Sequence, residues 1–118
     1  MTGVSRLYHN PRCSKSRAAL ALLRGRGIEP EIASYLDEPP SPETLRELLQ
    51  LLGSGPRALL RSSEPAYTDL GLDDPTLDDG ALVAAMHAHP QLIERPIFVH
   101  RGRAVIGRPP ERVLELLD

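Results

Sequence analysis

Between Val4 and Arg24 the hydrophobic pattern changes period once, and that change limits what the chain can fold into. Val4 to Tyr8 predicts a short strand, which runs straight into the loop His9–Asn10–Pro11–Arg12–Cys13. From Ser14 the period is helical. Ser16, Ala19, Leu20 and Leu23 recur at i, i+3, i+4 and i+7, while Arg17, Ala21 and Arg24 fall on the opposite side. Gly25 and Gly27 end that helix, and EIASYL, residues 31–36, predicts a second strand. A strand, a helix and a strand in this order need a crossover, so the two strands pair in parallel.

The remainder fits around that unit. Ser41 is a predicted N-cap with Pro42 at the first helical position, and Leu45, Leu48, Leu49 and Leu52 make the apolar stripe that Gly53 stops. Residues 54–79 are irregular: PRALLR (56–61) predicts one or two helical turns, and the aspartates from 69 to 79 predict solvated turns with no calcium-loop pattern. A helix follows over 81–89, with Leu82, Ala85, Met86 and His89 on one face. RPIFVH and RAVI flank Arg101–Gly102 and predict a hairpin, and Pro109 opens a last helix to Leu117. The predicted class is α/β: a thioredoxin-like fold with a mixed four-stranded sheet and a helical insertion between the second and third strands. The expectation is a single domain over residues 1–118.

Composition narrows the setting. Hydrophobic residues make up 41% and charged residues 25% of the 118, ordinary values for a chain that buries a core. No apolar run has the roughly 18–20 residues of a membrane span, and MTGVSRLYHN is too polar for a signal peptide. With one cysteine no internal disulfide can form, which predicts a reducing, cytoplasmic home. A net charge of −2 gives no bulk case for nucleic acid or membrane as partner. Lys15 is the only lysine among 14 basic residues, so an arginine means little here unless its position supports it.

Position does support Cys13. It lies between a strand end and a helix start, where free N–H groups and the helix dipole favour negative charge. Thiols at such places ionise at roughly 3.5–7.5 instead of about 8.5. His9, Arg12, Lys15 and Arg17 are expected to add positive charge. The plain alternative is a small buried hydrophobe, and the polar, cationic neighbours argue against it. Such a loop would supply a nucleophile and a cradle for an anionic substrate together. Cys13–Ser14–Lys15–Ser16 is C-x-x-S, so no second thiol can resolve an adduct internally. A phosphatase-type C-x5-R loop would need arginine where Ala19 stands.

Four stretches in order, YHNPRCSKSR, YLDEPPS, PRALLR, and ERPIFV with IGRPPE, resemble the ArsC family of glutaredoxin-dependent arsenate reductases, and especially its short YfgD-type branch. The resemblance runs from Tyr8 to Leu117 and implies specific roles. Cys13 would be catalytic, with His9 helping to ionise it and Ser16 completing the loop. Arg61, Arg95 and Arg108 would bind the oxyanion, a role that suits forked guanidiniums. No bound cofactor is implied. Arsenate would be the substrate, with glutathione as thiol co-substrate and glutaredoxin as partner, the protein being a monomer. Pro96 would be the cis proline of thioredoxin-like folds. Ser14–Lys15 replaces the Gly-Thr of other members, and the chain ends at Asp118 without their C-terminal extension; both features accompany the short branch.

Two other readings use the same fold: a glutathione-dependent thiol oxidoreductase acting on another substrate, and a non-catalytic, Spx-like regulatory binding protein. Spx-type switches use a C-x-x-C pair, which this chain lacks. His87 and His89, at i and i+2, do not share a helix face and predict no metal site. His100 is expected at a strand end.

Overall fold

The structure is a computed structural model that describes residues 5–117. Val4, placed in the first strand by the sequence pattern, lies outside them. Two compact units divide the chain, one built from residues up to Glu38 and from Arg95 onward, the other from Pro39–Glu94.

The first unit carries the sheet. It contains β1 (Ser5–Tyr8), α1 (Ser14–Gly25), β2 (Glu31–Ala33), β3 (Ile97–His100), β4 (Arg103–Ile106) and a final 3₁₀-helical segment, Pro110–Leu117. The four strands lie in the order β2-β1-β3-β4. β1 pairs with β2 in parallel, as the crossover requires, and antiparallel with β3, which pairs antiparallel with β4. This is the thioredoxin-like arrangement. Leu7 of β1, Ala19 and Leu23 of α1, Phe98, Val105, Val113 and Leu116 form one buried cluster. Leu7, Leu23 and Phe98 are wholly buried, and each contributes about 1.5–3 kcal/mol by leaving water. At the hairpin, Arg101 and Gly102 have φ of 51° and 79°. A type I′ two-residue turn has positive φ at both central residues, and here an arginine adopts it beside the glycine.

β2 covers three residues, half of the six predicted. Its neighbour β1 ends opposite it, Tyr8 against Ala33, so nothing remains for Ser34–Leu36 to pair with. The backbone turns instead: Tyr35 N–H donates to Ala33 O, and Asp37 and Glu38 N–H both donate to Ser34 O, all at 3.0 Å.

The second unit is the helical insertion, with α2 (Pro42–Leu52), α3 (Pro65–Asp69), α4 (Asp79–Ala88) and 3₁₀ turns at Pro56–Ala58 and Pro90–Leu92. Ser41 caps α2 by accepting from Thr44 N–H at 3.1 Å, and Gly53 ends it with φ 68°. α4 begins two residues earlier than its apolar period. Asp78 is its N-cap, accepting Ala81 N–H at 2.8 Å, so this aspartate is more than a solvated turn. Leu60 and Ile93 meet in an isolated antiparallel bridge. Among the described residues no helix is long and apolar enough to cross a membrane.

Candidate active site

Strand register gathers His9, Cys13, Arg95 and Arg108 at one end of the sheet. Tyr8 lies opposite Ala33 on one side and Ile97 on the other, and Ile97 lies opposite Ile106. The chain after β1, after β2, before β3 and after β4 therefore leaves from the same end. His9–Cys13, Ser34–Asp37, Arg95–Pro96 and Gly107–Arg108 all emerge there. It is also the carboxyl end of the parallel pair, where open α/β sheets present their ligand crevices.

A set of short hydrogen bonds holds the cysteine loop. Cys13 N–H donates to Asn10 O at 3.0 Å and Arg12 N–H to Asn10 Oδ1 at 3.0 Å. Asn10 N–H donates to Ser16 Oγ at 3.1 Å, and Arg17 Nη1 donates to Pro11 O at 2.9 Å. Asn10 thus closes the turn with backbone and side chain, as asparagine does in loops. Ser16 is wholly buried; its hydroxyl braces the loop from the first turn of α1. Cys13 is the N-cap of α1 with φ −92° and ψ 123°, half-buried and without a side-chain cap bond. No acidic residue occupies the first turn, so the orphan N–H groups there face no competing anion on their own helix.

His9 departs from expectation. It is 7% exposed, and burial first, then the charges of Arg24 and Arg17, push its pKa below the ordinary 6.5. The shift favours the neutral imidazole at neutral pH and weakens His9 as a source of positive charge in the loop. Its Nδ1 is buried with no hydrogen-bond partner among the described residues, while its backbone N–H donates to Ala33 O at 3.0 Å.

Arg95 and Arg108 are brought together. Each precedes a cis proline, Pro96 and Pro109, and Arg108 Nη1 donates to Arg95 O at 3.4 Å. The cis Arg95–Pro96 bond was expected from the resemblance. Pro109 sits in the second cis bond and the last helical segment opens one residue later, at Pro110. Gly107 lets these segments approach: its N–H donates to Pro96 O at 2.8 Å. A Cβ at Gly107 would meet Pro96 Cγ at 2.9 Å and Val113 Cγ1 at 3.0 Å.

Arg61 belongs to the second unit. Its Nε lies 3.3 Å from Glu94 Oε1 and its Nη1 3.5 Å from Glu64 Oε1, and its side chain is 17% exposed. Leu60 and Ile93 fix the backbone beside it, with Arg61 N–H donating to Leu92 O at 2.8 Å. Elsewhere, His87 Nδ1 is 2.9 Å from Pro40 O, and no group of three or more potential ligands for a metal occurs among the described residues. His100 stands at the end of β3 as expected, but buried, its Nδ1 2.6 Å from Ser5 Oγ and its ring stacked on Phe98. Arg17 is expected near the loop as a cation, but not as the donor to Pro11 O that the structure shows; Asn10, Gly107 and the two glutamates carry no role in the sequence pattern. Only Asn10, two residues before Arg12, carries a recognisable turn signal.

A thioredoxin-like sheet with a helical insertion and a cysteine capping its first helix defines the class. The ArsC family model matches residues 8–116, and the chain belongs to the ArsC family. The chain is 51% identical over 118 residues to the protein YfgD of Escherichia coli K12, covering 99% of both. It is 47% identical over 113 residues to the arsenate reductase of Neisseria meningitidis serogroup A, covering 95% of this chain and 97% of that one. Among solved structures, the arsenate reductase from Vibrio cholerae superposes with a TM-score of 0.94 at 52% identity, over 97% of this chain and 98% of that one.

Proposed function

We propose that the protein is an arsenate reductase that works through a covalent adduct on Cys13 and draws its electrons from glutathione, with glutaredoxin completing the cycle. The observation that carries the reading is the placement of the chain's only cysteine as N-cap of α1, in a loop braced by Ser16 and Arg17. The names and identities of the relatives support the substrate.

The Cys13 thiolate attacks the As(V) centre and an arsenate oxygen leaves as water. Glutathione replaces a second oxygen on arsenic, also released as water. The Cys13 sulfur and the glutathione sulfur then join as a disulfide, both As–S bonds break, two electrons pass to arsenic, and the As(III) takes up one water and departs as arsenite. The mixed disulfide is resolved by glutaredoxin, which takes the glutathionyl group and frees Cys13. A second glutathione regenerates glutaredoxin and gives oxidised glutathione. A chain with one thiol needs this outside resolution. Such chemistry suits a reducing compartment such as the cytoplasm.

Arg95 and Arg108 are assigned to the oxyanion from the same sheet end as the loop, and Arg61 is assigned with them from the family motif. His9, neutral, takes the thiol proton or hydrogen-bonds to it, and adds no cationic charge. Incubating the protein with arsenate and glutathione, without glutaredoxin, should accumulate a Cys13–glutathione disulfide detectable by peptide mass spectrometry. Equal accumulation without arsenate would move the reading to a glutathione-linked oxidoreductase of another substrate.

A further inference from the structure

Behind the cysteine turn lies a pocket of about 260 Å³ lined by His9, Asn10, Pro11, Arg12, Ser34, Leu36 and Asp37. One wall is the turn that Asn10 closes onto Cys13. The other is the bend where β2 ends early. Its chemistry is mixed in a particular way. Arg12 and Asp37 are exposed and of opposite sign, and the side chain of neither is engaged by another described residue. His9 contributes a buried Nδ1 that no group among the described residues satisfies, and buried polar atoms of that kind are normally paired. Leu36, 40% exposed, and Pro11 supply apolar surface beside these groups.

A small anion would meet Asp37, and a simple cation would meet Arg12. A ligand carrying both an ammonium and a carboxylate suits both, with an apolar stretch for Leu36 and Pro11. We propose that this pocket takes the zwitterionic α-amino acid end of a γ-glutamyl thiol peptide, the class to which glutathione belongs. Asp37 receives the ammonium and Arg12 the carboxylate by a charge-assisted fork. This inference rests on the glutathione-linked reading above and gives it a location: the peptide is held on the far wall of the turn whose last residue is Cys13.

Binding can be read without chemistry. S-methylglutathione, whose capped sulfur cannot react, is titrated into the full-length protein and followed by calorimetry and by NMR of the His9 ring. Saturable binding with a shift of the His9 resonances is expected. Arg12→Gln and Asp37→Asn, both at exposed positions that hold no core, should each weaken it on the order of tenfold, the loss of one charge-assisted bond. Glu47→Gln on the outer face of α2 should leave it unchanged. Acetylating the ligand's amino group should weaken binding to the parent as much as Asp37→Asn does, and the two losses should not add. Binding equal in parent and both variants, or a His9 ring that does not respond, overturns the assignment. Because no arsenate is present, a protein that binds S-methylglutathione here but never reduces arsenate would refute the proposed function and leave the pocket standing.

Discussion

At the scale of single residues the site is a set of short braces. Ser16 was expected as a family residue of the loop, and its position explains what it does there, since its wholly buried oxygen accepts Asn10 N–H. Ser16→Ala should strand that donor and cost about 1–2 kcal/mol in urea unfolding; unchanged stability would contradict the brace. The arginines divide differently. Arg→Lys keeps charge but loses the fork, so Arg95→Lys and Arg108→Lys should each cost about 1–3 kcal/mol of transition-state stabilisation, lowering kcat/KM for arsenate roughly five- to 150-fold. Arg46→Lys, exposed on α2, is the control. Steady-state kinetics that find all three alike would dissolve the oxyanion role. Sequence reasoning could single out Cys13, Arg95 and Arg108 because they stand in motifs. It cannot see that the His9 pKa is pushed down, because burial and the nearness of Arg24 are products of the fold.

At the scale of elements, the sequence made the period-bearing parts legible. α1, α2 and the hairpin appear where apolar spacing and caps put them. α3 leaves no signal in the sequence because five residues, PAYTD, are too few to display a helical period. The pattern over residues 31–36 overstates β2 because its apolar residues continue past the point where β1 stops offering a partner. The close packing of Gly107 left no trace in the pattern, since a glycine between IGRPP residues reads as any turn. Its replacement makes the packing measurable. Gly107→Ala drives a Cβ to 2.9 Å from Pro96 and 3.0 Å from Val113. Overpacking of this kind costs about 1–3 kcal/mol, so thermal unfolding should shift down clearly, while Gly55→Ala, with open space around it, should not show that loss.

For the whole molecule, the buried imidazoles set a pH dependence. The folded pKa values of His9 and His100 both lie below the ordinary 6.5; burial is the first cause in each, with Arg24 and Arg17 acting on His9 and Arg101 and Arg103 on His100. Above about pH 6.5 both states are neutral at these sites and the full stability is present. As pH falls through 6.5 the unfolded chain takes up protons that the fold resists, so stability declines towards the lower folded values. Urea midpoints should therefore drop between pH 7.5 and 5.5, and His100→Gln should flatten the drop. A midpoint constant over that range would refute the assignment of buried neutral histidines. The reduction of arsenate through Cys13 is tested most directly by one coupled assay: arsenate-dependent NADPH oxidation with glutathione, glutaredoxin and glutathione reductase, run on the parent and on Cys13→Ser. Turnover should need arsenate, fall away when glutaredoxin is omitted, and vanish in Cys13→Ser. A parent that reduces arsenate no faster than Cys13→Ser would contradict the proposed function.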